Sequence, residues 1–336
     1  MATVIANPNP VTYADWAKTR DPDGKTAAIV EILEQMNPIT KDVFLREGNM
    51  TEGHQTTIRA GQPRGTWVAY NEGSLPIKSA SRQTFDKPGR LQAYFEIDKA
   101  LVELEDDKAA FMLSESTSIL AGLGLDYAET LIYGNSLMEP KKFMGIIPRY
   151  NDVAAESAAN IFNGKVDGGD ATGHSILGVT WGANQTMCFF PRGSMAGLQM
   201  EDLGQVTGFD DNGGRFEIYR QRYEQRVGLT VRDWRSNYRI AQLQPAELLA
   251  DGVDLVKLLI LAEHQIRGFQ GGSRVIYCNQ LVYQSLDVLA NTKSNVALSM
   301  REWGTEEVVH FRNTPIRQLD ALNPLEASVP GLPALI

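Results

Sequence analysis

The sequence has very few cysteines. Cys188 and Cys278 are the only two in 336 residues, and each lies in an apolar stretch (MCFF and VIYCN). Disulfide frameworks and zinc sites need several cysteines or histidines at close spacing. The histidines are also few and far apart: His54, His174, His264 and His310. We therefore expect two reduced, buried thiols and no metal site.

Long hydrophobic runs and an excess of positive charge are both missing. No stretch of about 18 apolar residues could cross a membrane, and the start MATVIANPNP lacks the basic and apolar segments of a signal peptide. The net charge is −9 and the isoelectric point is about 5.1, whereas a DNA-binding surface needs clustered lysine and arginine. The sequence predicts a protein made in the cytoplasm, with no membrane segment and no dedicated nucleic-acid-binding surface.

Familiar catalytic motifs are absent as well. We find no G-x-S-x-G elbow, no P-loop, no H-E-x-x-H and no C-x-x-C. Gly122 and Gly124 form half of a dinucleotide fingerprint, but Tyr127 occupies the third glycine position and both glycines lie in a predicted helix. We interpret them as sites of close helix packing. The sequence predicts no catalytic residue and no cofactor.

Three acidic clusters have simpler explanations than chemistry. The adjacent pairs Asp106-Asp107 and Glu306-Glu307 are typical of solvated helix starts or faces. The run Asp210-Asp211-Asn212-Gly213-Gly214 resembles the start of a calcium loop, but the twelfth position is Gln221 instead of glutamate. We therefore predict that this run is the turn of a β-hairpin.

What the sequence does contain is a basic segment, from His54 to Arg90, that is typical of a long β-hairpin. Its limbs meet at Asn71-Glu72-Gly73-Ser74, where we expect Gly73 to adopt the positive φ of a tight turn. Its prolines remove hydrogen-bond donors, which confines its strands to edges. A two-stranded ribbon with few apolar residues is marginal in water. We predict an arm that needs contacts outside itself.

The charge of this segment suggests what the arm contacts. It holds six cations and two acids, a net charge of +4, which leaves −13 for the rest of the chain. A basic arm on an acidic body favours docking on a second copy, with charge complementarity fixing the register. The alternative is a solvated surface hairpin with incidental charge. The candidate contact residues between subunits are Arg59, Arg64, Trp67, Lys78, Arg82, Lys87 and Arg90.

The rest of the chain predicts a mixture of helices and strands. A helix from about Thr26 to Met36 precedes the arm, alternation from Leu91 to Ile97 predicts a half-buried strand, and Asp107 to Leu131 predicts one long helix that Gly134 or Asn135 ends. From Gly173 onward the chain is rich in strands that alternate with helices, a pattern of helices covering a sheet. The last strand, VVHFRNTPIRQLDAL, leads into an extended tail.

Four stretches between Thr51 and Leu322 carry a resemblance to a known family. They are GTWVAYNEGSLPIKS, SILGVTWGANQTMCFFPRGSMAGLQMEDLG, GLTVRDWRSNYRIAQL and FRNTPIRQLDAL. Their joint order resembles the major capsid proteins of tailed bacteriophages with the Hong Kong 97-like fold, and is most similar to those of short-tailed phages (podoviruses). The resemblance implies an α+β capsid fold.

The resemblance also implies a division into five segments. Residues 1–49 would be an N-terminal arm with a short helix, 50–97 the extended β-hairpin loop, and 98–172 the peripheral domain with a spine helix at 107–131. Residues 173–311 would form mainly the axial domain, with some peripheral strands. Residues 312–336 would be the return strand of the peripheral domain and a C-terminal tail.

The implied function is that of a major head protein. Copies would assemble into hexamers and pentamers of an icosahedral virion capsid, in the cytoplasm of the host bacterium, around double-stranded DNA that is bound without sequence specificity. The long N-terminal segment that serves some relatives as a built-in scaffold is missing, so we expect a separate scaffolding protein, together with a portal protein and a cement or decoration protein. Lys78 could donate to a Lys–Asn crosslink, but no feature identifies the acceptor.

Two alternatives remain open at this point. An α/β enzyme with a dimerising β-arm would need a pocket lined by convergent polar groups. Another virion component, such as a decoration or connector protein, would differ from a shell protein in its copy number per particle.

Deletion of Thr66–Ser79, the end of the predicted arm, tests whether the arm is needed for folding of the body or only for assembly. We expect the body to remain folded while shells no longer form, because the arm contributes to contacts between copies and not to a core. Circular dichroism reports the first outcome and negative-stain electron microscopy the second. An unfolded body, or normal shells, would contradict the arm hypothesis.

Overall fold

The computed structural model describes residues 37–59, 61, 63–104, 107–165, 167–209, 213–249, 254–266, 271–291, 298–303 and 306–333. The helices are α1 Ile39–Asp42, α2 Lys99–Glu103, α3 Lys108–Tyr133, α4 Pro245–Leu249, α5 Leu255–Gln265 and α6 Gln280–Asn291. The strands are β1 Leu45–Glu47, β2 His54–Arg59, β3 Ser81–Asp86, β4 Gly89–Asp98, β5 Ile161–Asn163, β6 His174–Trp181, β7 Thr186–Phe190, β8 Leu198–Phe209, β9 Arg215–Val231, β10 Tyr238–Leu243, β11 Ser273–Cys278, β12 Leu298–Trp303, β13 Glu306–Phe311 and β14 Thr314–Gln318. The helix predicted from Thr26 to Met36 lies outside the described residues.

The chain divides into two compact units. Among the described residues, the first unit comprises 90–104, 107–127, 197–209 and 213–226, and the second comprises all the others. The long helix α3 and the long strand β9 each contribute residues to both units.

The first unit packs α2 and most of α3 on a sheet of β8, β9 and β4. Helix α3 has 26 residues, and Asp107 caps its start by accepting a hydrogen bond from the Ala110 N–H at 3.1 Å. Strand β4 buries Phe95 and Ile97, as its alternating pattern predicts. The core of the unit is a single apolar cluster that consists of Phe95, Ile97, Leu101, Val102, Phe111, Leu123 and Tyr223.

The hairpin predicted around residues 210–214 is confirmed by the pairing of its strands. Strands β8 and β9 run antiparallel from Leu198↔Gln225 to Phe209↔Arg215. Gly213, next to the undescribed residues 210–212, has a φ of 80°, a conformation that glycine adopts without steric cost.

The second unit is built on β6, a strand whose eight residues are all buried. It pairs antiparallel with β10 and β11, and β11 pairs parallel with β14. On the other side β7 pairs antiparallel with the end of β9 and parallel with β1. Helices α5 and α6 supply Leu255, Leu258, Leu259, Ala262, Val282 and Leu286 to an apolar cluster with β6, β10, β11, β13 and β14. Helices thus cover a sheet in this unit, as predicted.

The C-terminal segment is part of this core and not a free tail. Glu326 is buried, and it accepts hydrogen bonds from Arg239 Nη2 at 2.8 Å, from Tyr133 Oη at 2.5 Å and from the Ser175 hydroxyl. The backbones of Glu326 and Gly173 exchange two hydrogen bonds. Burial and the carboxylate of Glu326 raise the pKa of Tyr133. The sequence predicted an extended tail but not its packing, because the packing depends on Ser175 and Arg239, which lie in distant strands.

Two further predictions are wrong in detail. The stretch VVHFRNTPIRQLDAL contains two strands, β13 and β14, joined by a tight turn in which Arg312 has a φ of 56°. In the described structure, a Cβ placed at Gly122 or Gly124 meets nothing within 4 Å, so these glycines do not serve close packing within the chain.

Substitution Arg239→Met tests the buried ion pair. We expect the free energy of unfolding to fall by about 3–5 kcal/mol, because the carboxylate of Glu326 would keep its burial and lose its cation. The matched control is Lys142→Met, which removes an exposed pair to Glu139 (N–O distance 2.8 Å) and should cost at most about 1 kcal/mol. Urea titration of the unassembled protein measures both, and equal losses would contradict the expectation.

Candidate assembly interface

The residues between β2 and β3 form a tip that has no core. We call residues 61 and 63–80 the tip, β2 with β3 the ribbon, and both together the arm. Every described tip residue is exposed, and the side chains of Trp67 and Tyr70 are as accessible as in an extended peptide (101% and 102%). Leu75 and Ile77 are exposed as well. A group of bare apolar side chains is typical of a surface that another molecule covers.

The turn of the tip is built by asparagine and glutamate and not by glycine. Asn71 has a φ of 68°, whereas Gly73 is not among the residues with positive φ. The Glu72 N–H donates to Ala69 O at 3.2 Å, and the Glu72 carboxylate accepts from the Ala69 N–H at 3.0 Å. Asparagine tolerates the left-handed region, so the prediction that Gly73 makes this turn is wrong by two residues.

The base of the ribbon is buried, in contrast to the tip. Strands β2 and β3 pair antiparallel from His54↔Asp86 to Arg59↔Ser81, and only these six pairs form the ladder. The side chain of Asn49 brackets the backbone of Gln55 with two hydrogen bonds of 2.8 Å. Gly53 is required beside them, since a Cβ there would lie 2.4 Å from Asp86 O. The base is therefore fixed by local packing in the second unit.

Asp86 makes the ionic contact of the base. It accepts a hydrogen bond from Arg149 Nη2 at 2.8 Å, and the two side chains are only 8% and 18% exposed. His54, its partner in the ladder, stacks obliquely on Phe189 with ring centroids 5.5 Å apart. Burial and the nearby Arg232 lower the pKa of His54, so the imidazole is neutral at pH 7.

The structure places the predicted contact residues in different environments. Arg64, Trp67 and Lys78 lie exposed in the tip, and Lys87 is exposed beside the base. Arg82 pairs with Glu156 at 3.3 Å, and both side chains are more than half exposed. The side chain of Arg59 is outside what the structure describes.

Arg90 is held within the first unit. It donates to Glu224 at 2.7 Å, and this hydrogen bond, with one from Arg226, keeps the pKa of the Glu224 carboxyl below its ordinary value. Arg90 already has a partner in its own chain and lies outside the arm. Its role as a contact between copies stays a prediction.

Sequence reasoning missed the residue that holds the arm. Arg149 is 63 positions from Asp86, and an isolated arginine carries no signal of its own. The available indication was Asp86, at the end of the second limb of the hairpin, because a buried carboxylate needs a partner.

The described part of the chain offers little for other kinds of site. No group of three or more His, Cys, Asp or Glu side chains in it could hold a metal ion. Cys188 and Cys278 are buried there and form no disulfide bond, as predicted, and burial raises the pKa of the Cys278 thiol. None of the described helices is long and apolar enough to cross a membrane.

Comparison with solved structures finds phage particles. A chain of bacteriophage Epsilon15 is 29% identical, with a TM-score of 0.77, over 97% of this chain and 99% of that one. A chain of the bacteriophage JBD30 capsid is 9% identical, with a TM-score of 0.49, over 87% of this chain and 93% of that one. The comparison with curated proteins gave no match.

The fold and the bare arm define a shell-forming protein of a tailed-phage capsid, with the α+β Hong Kong 97-like fold. The model of the family described as "Major capsid protein GP7" matches residues 21–330, so the chain belongs to this family. Its place is the virion capsid. The predictions of fold class and of capsid function are confirmed, and the alternative of a decoration or connector protein is set aside.

The contrast between tip and base predicts opposite effects on stability. Trp67→Ser should change the free energy of unfolding by less than about 0.5 kcal/mol, because the side chain contacts no core. Asp86→Ala should lower it by about 1–3 kcal/mol, because Arg149 loses a charged hydrogen-bond partner. Urea titration of both variants provides the measurement, and a large loss for Trp67→Ser would show that the tip packs on its own chain.

Proposed function

We propose that the arm of each copy docks on a neighbouring copy and so links the subunits of hexamers and pentamers. The observation that supports this most directly is the bare tip, whose exposed side chains Trp67, Tyr70, Leu75 and Ile77 gain nothing from their own chain. The cations Arg64 and Lys78 flank this apolar group. They suit an acidic acceptor surface on a second copy, and the part of the chain outside His54–Arg90 carries −13.

The proposed segments follow the division implied by the resemblance. Residues 50–97 are the extended loop, 98–172 the peripheral domain with the spine helix, 173–311 mainly the axial domain, and 312–336 the return strand and tail. The grouping of residues 197–226 with 90–127 supports the view that β8 and β9 are the peripheral strands within residues 173–311. The first segment, 1–49, is proposed as the N-terminal arm.

The remaining parts of the proposal concern partners and chemistry. The shell encloses double-stranded DNA without sequence-specific binding, which the net charge of −9 supports. Scaffolding, portal and cement or decoration proteins take part in assembly, which occurs in the host cytoplasm. The chain has no catalytic activity, in keeping with a family of structural proteins.

Charge reversal at the tip tests the docking role. Arg64→Glu combined with Lys78→Glu should reduce the yield of shells at least about tenfold at low salt, because repulsion replaces attraction at the contact. The unfolding free energy should stay within about 0.5 kcal/mol, since both side chains are exposed. Negative-stain microscopy and sedimentation measure the shells, and urea titration the stability.

The matched control is Lys141→Glu combined with Lys257→Glu. Both lysines are exposed and lie outside the arm, so this pair makes the same change in net charge. We expect near-normal shell yields from it. Equal losses for the two double variants would show that total charge matters and would contradict docking through the tip.

A further inference from the structure

Arg149 connects the arm to two other parts of the second unit, strand β9 and the loop that follows α3. Its guanidinium donates to Asp86 at the end of β3 at 2.8 Å and to Leu229 O in β9 at 3.0 Å. It also donates to Gly145 O at 3.2 Å and to Met144 O at 3.3 Å, in the loop that follows α3. A planar guanidinium with several donors fixes directions as well as distances.

The loop that carries Arg149 is itself held firmly. The Gly145 N–H donates to Gly134 O at 2.7 Å, and the Ile146 N–H donates to Leu131 O at 3.0 Å, which fastens the loop to the end of α3. A Cβ at Gly145 would lie 2.8 Å from Ile132 O, and one at Gly134 would lie 2.5 Å from Phe143 O. Only glycine permits so close an approach. Arg149 therefore contacts the arm from a loop that hydrogen bonds and close packing hold to the end of α3.

A second ionic link, between Arg82 of the arm and Glu156 elsewhere in the second unit, is weaker. Arg82 and Glu156 are 3.3 Å apart with side chains 58% and 64% exposed, and exposed pairs contribute little. The pair of Arg149 and Asp86 is shielded from water and has three additional backbone acceptors. It is therefore the stronger of these two ionic restraints on the ribbon.

A small rotation at the base has a large effect at the far end. The six residues of β2 span roughly 20 Å, so a rotation of about 10° at Asp86 moves the end of the ribbon by roughly 3 Å. The tip extends further still. A displacement of this size separates contacting side chains, so an arm whose direction is already set avoids an ordering cost when it docks.

We propose that Arg149 is a positioning residue that sets the direction in which the arm leaves the second unit. It acts through Asp86 and does not touch the neighbouring copy. The consequence for shell formation rests on the docking role proposed above, whereas the effect on the arm itself does not.

The direct test measures the arm in the unassembled protein. Nitroxide labels are placed at Ser81→Cys, at the exposed end of β3, and at Lys257→Cys, on α5; Cys188 and Cys278 are buried and should not react. Pulsed electron paramagnetic resonance then gives the distribution of distances between the labels. We expect the distribution to broaden at least about twofold in Arg149→Met, because the base can open locally.

A control of matched burial separates positioning from general loss of stability. Arg317 lies 3.2 Å from Asp42, and these side chains are 19% and 11% exposed, close to the values for Arg149 and Asp86. Arg317→Met should cost comparable stability and leave the distance distribution unchanged. Asp86→Asn, which keeps size and removes charge, is a second route to the same broadening if Arg149→Met does not fold.

Shell yields complete the experiment. Arg149→Met should reduce them about tenfold relative to Arg317→Met, the change that corresponds to 1.4 kcal/mol of lost preorganisation. An unchanged distance distribution in both arm variants, or equal broadening in Arg317→Met, would overturn the positioning role. A broadened distribution with normal yields would uphold that role and contradict the docking function instead.

Discussion

A two-stranded ribbon cannot bury enough apolar surface to stand alone in water, and the arm of this protein depends on how that constraint is met. At one end the ribbon is tied to the second unit by buried His54 and Asp86 and by the bond of Asp86 to Arg149. At the other end the described part of the chain leaves every tip residue exposed. The same segment is therefore ordered at its base and incomplete at its tip, which suits a protein whose stable form is an assembly.

The body that carries the arm contains a buried ion pair. Its second unit accepts the desolvation of Arg239 and Glu326, two charges that are almost fully buried. Buried ion pairs seldom add net stability over apolar packing, so we attribute to this one a role in specificity: it holds the C-terminal segment against strands β6 and β10. The hydrogen bonds of Glu326 to Tyr133 and Ser175 restrict the segment to one position.

The features that were predictable from sequence are those determined by local pattern. Helix α3 follows from a long apolar repeat with Asp107 and Gly134 at its ends, and β4 from strict alternation. The missed features depend on contacts between distant residues or on side chains that replace glycine. Arg149 bonds to Asp86 across 63 positions, and Asn71 and Arg312 adopt positive φ although neither is a glycine. The packing assigned to Gly122 failed because a small residue indicates available space and not the neighbour that fills it.

The separation of tip from core has a genetic consequence. Substitutions in residues 63–80 should leave the folding of the chain that carries them unchanged, since these side chains are exposed. Under the docking role proposed above, such a chain still presents an intact acceptor surface to a neighbour. Under that same role it would enter a growing shell, receive one arm and fail to dock its own, so a minority of altered copies would halt the assembly of normal ones.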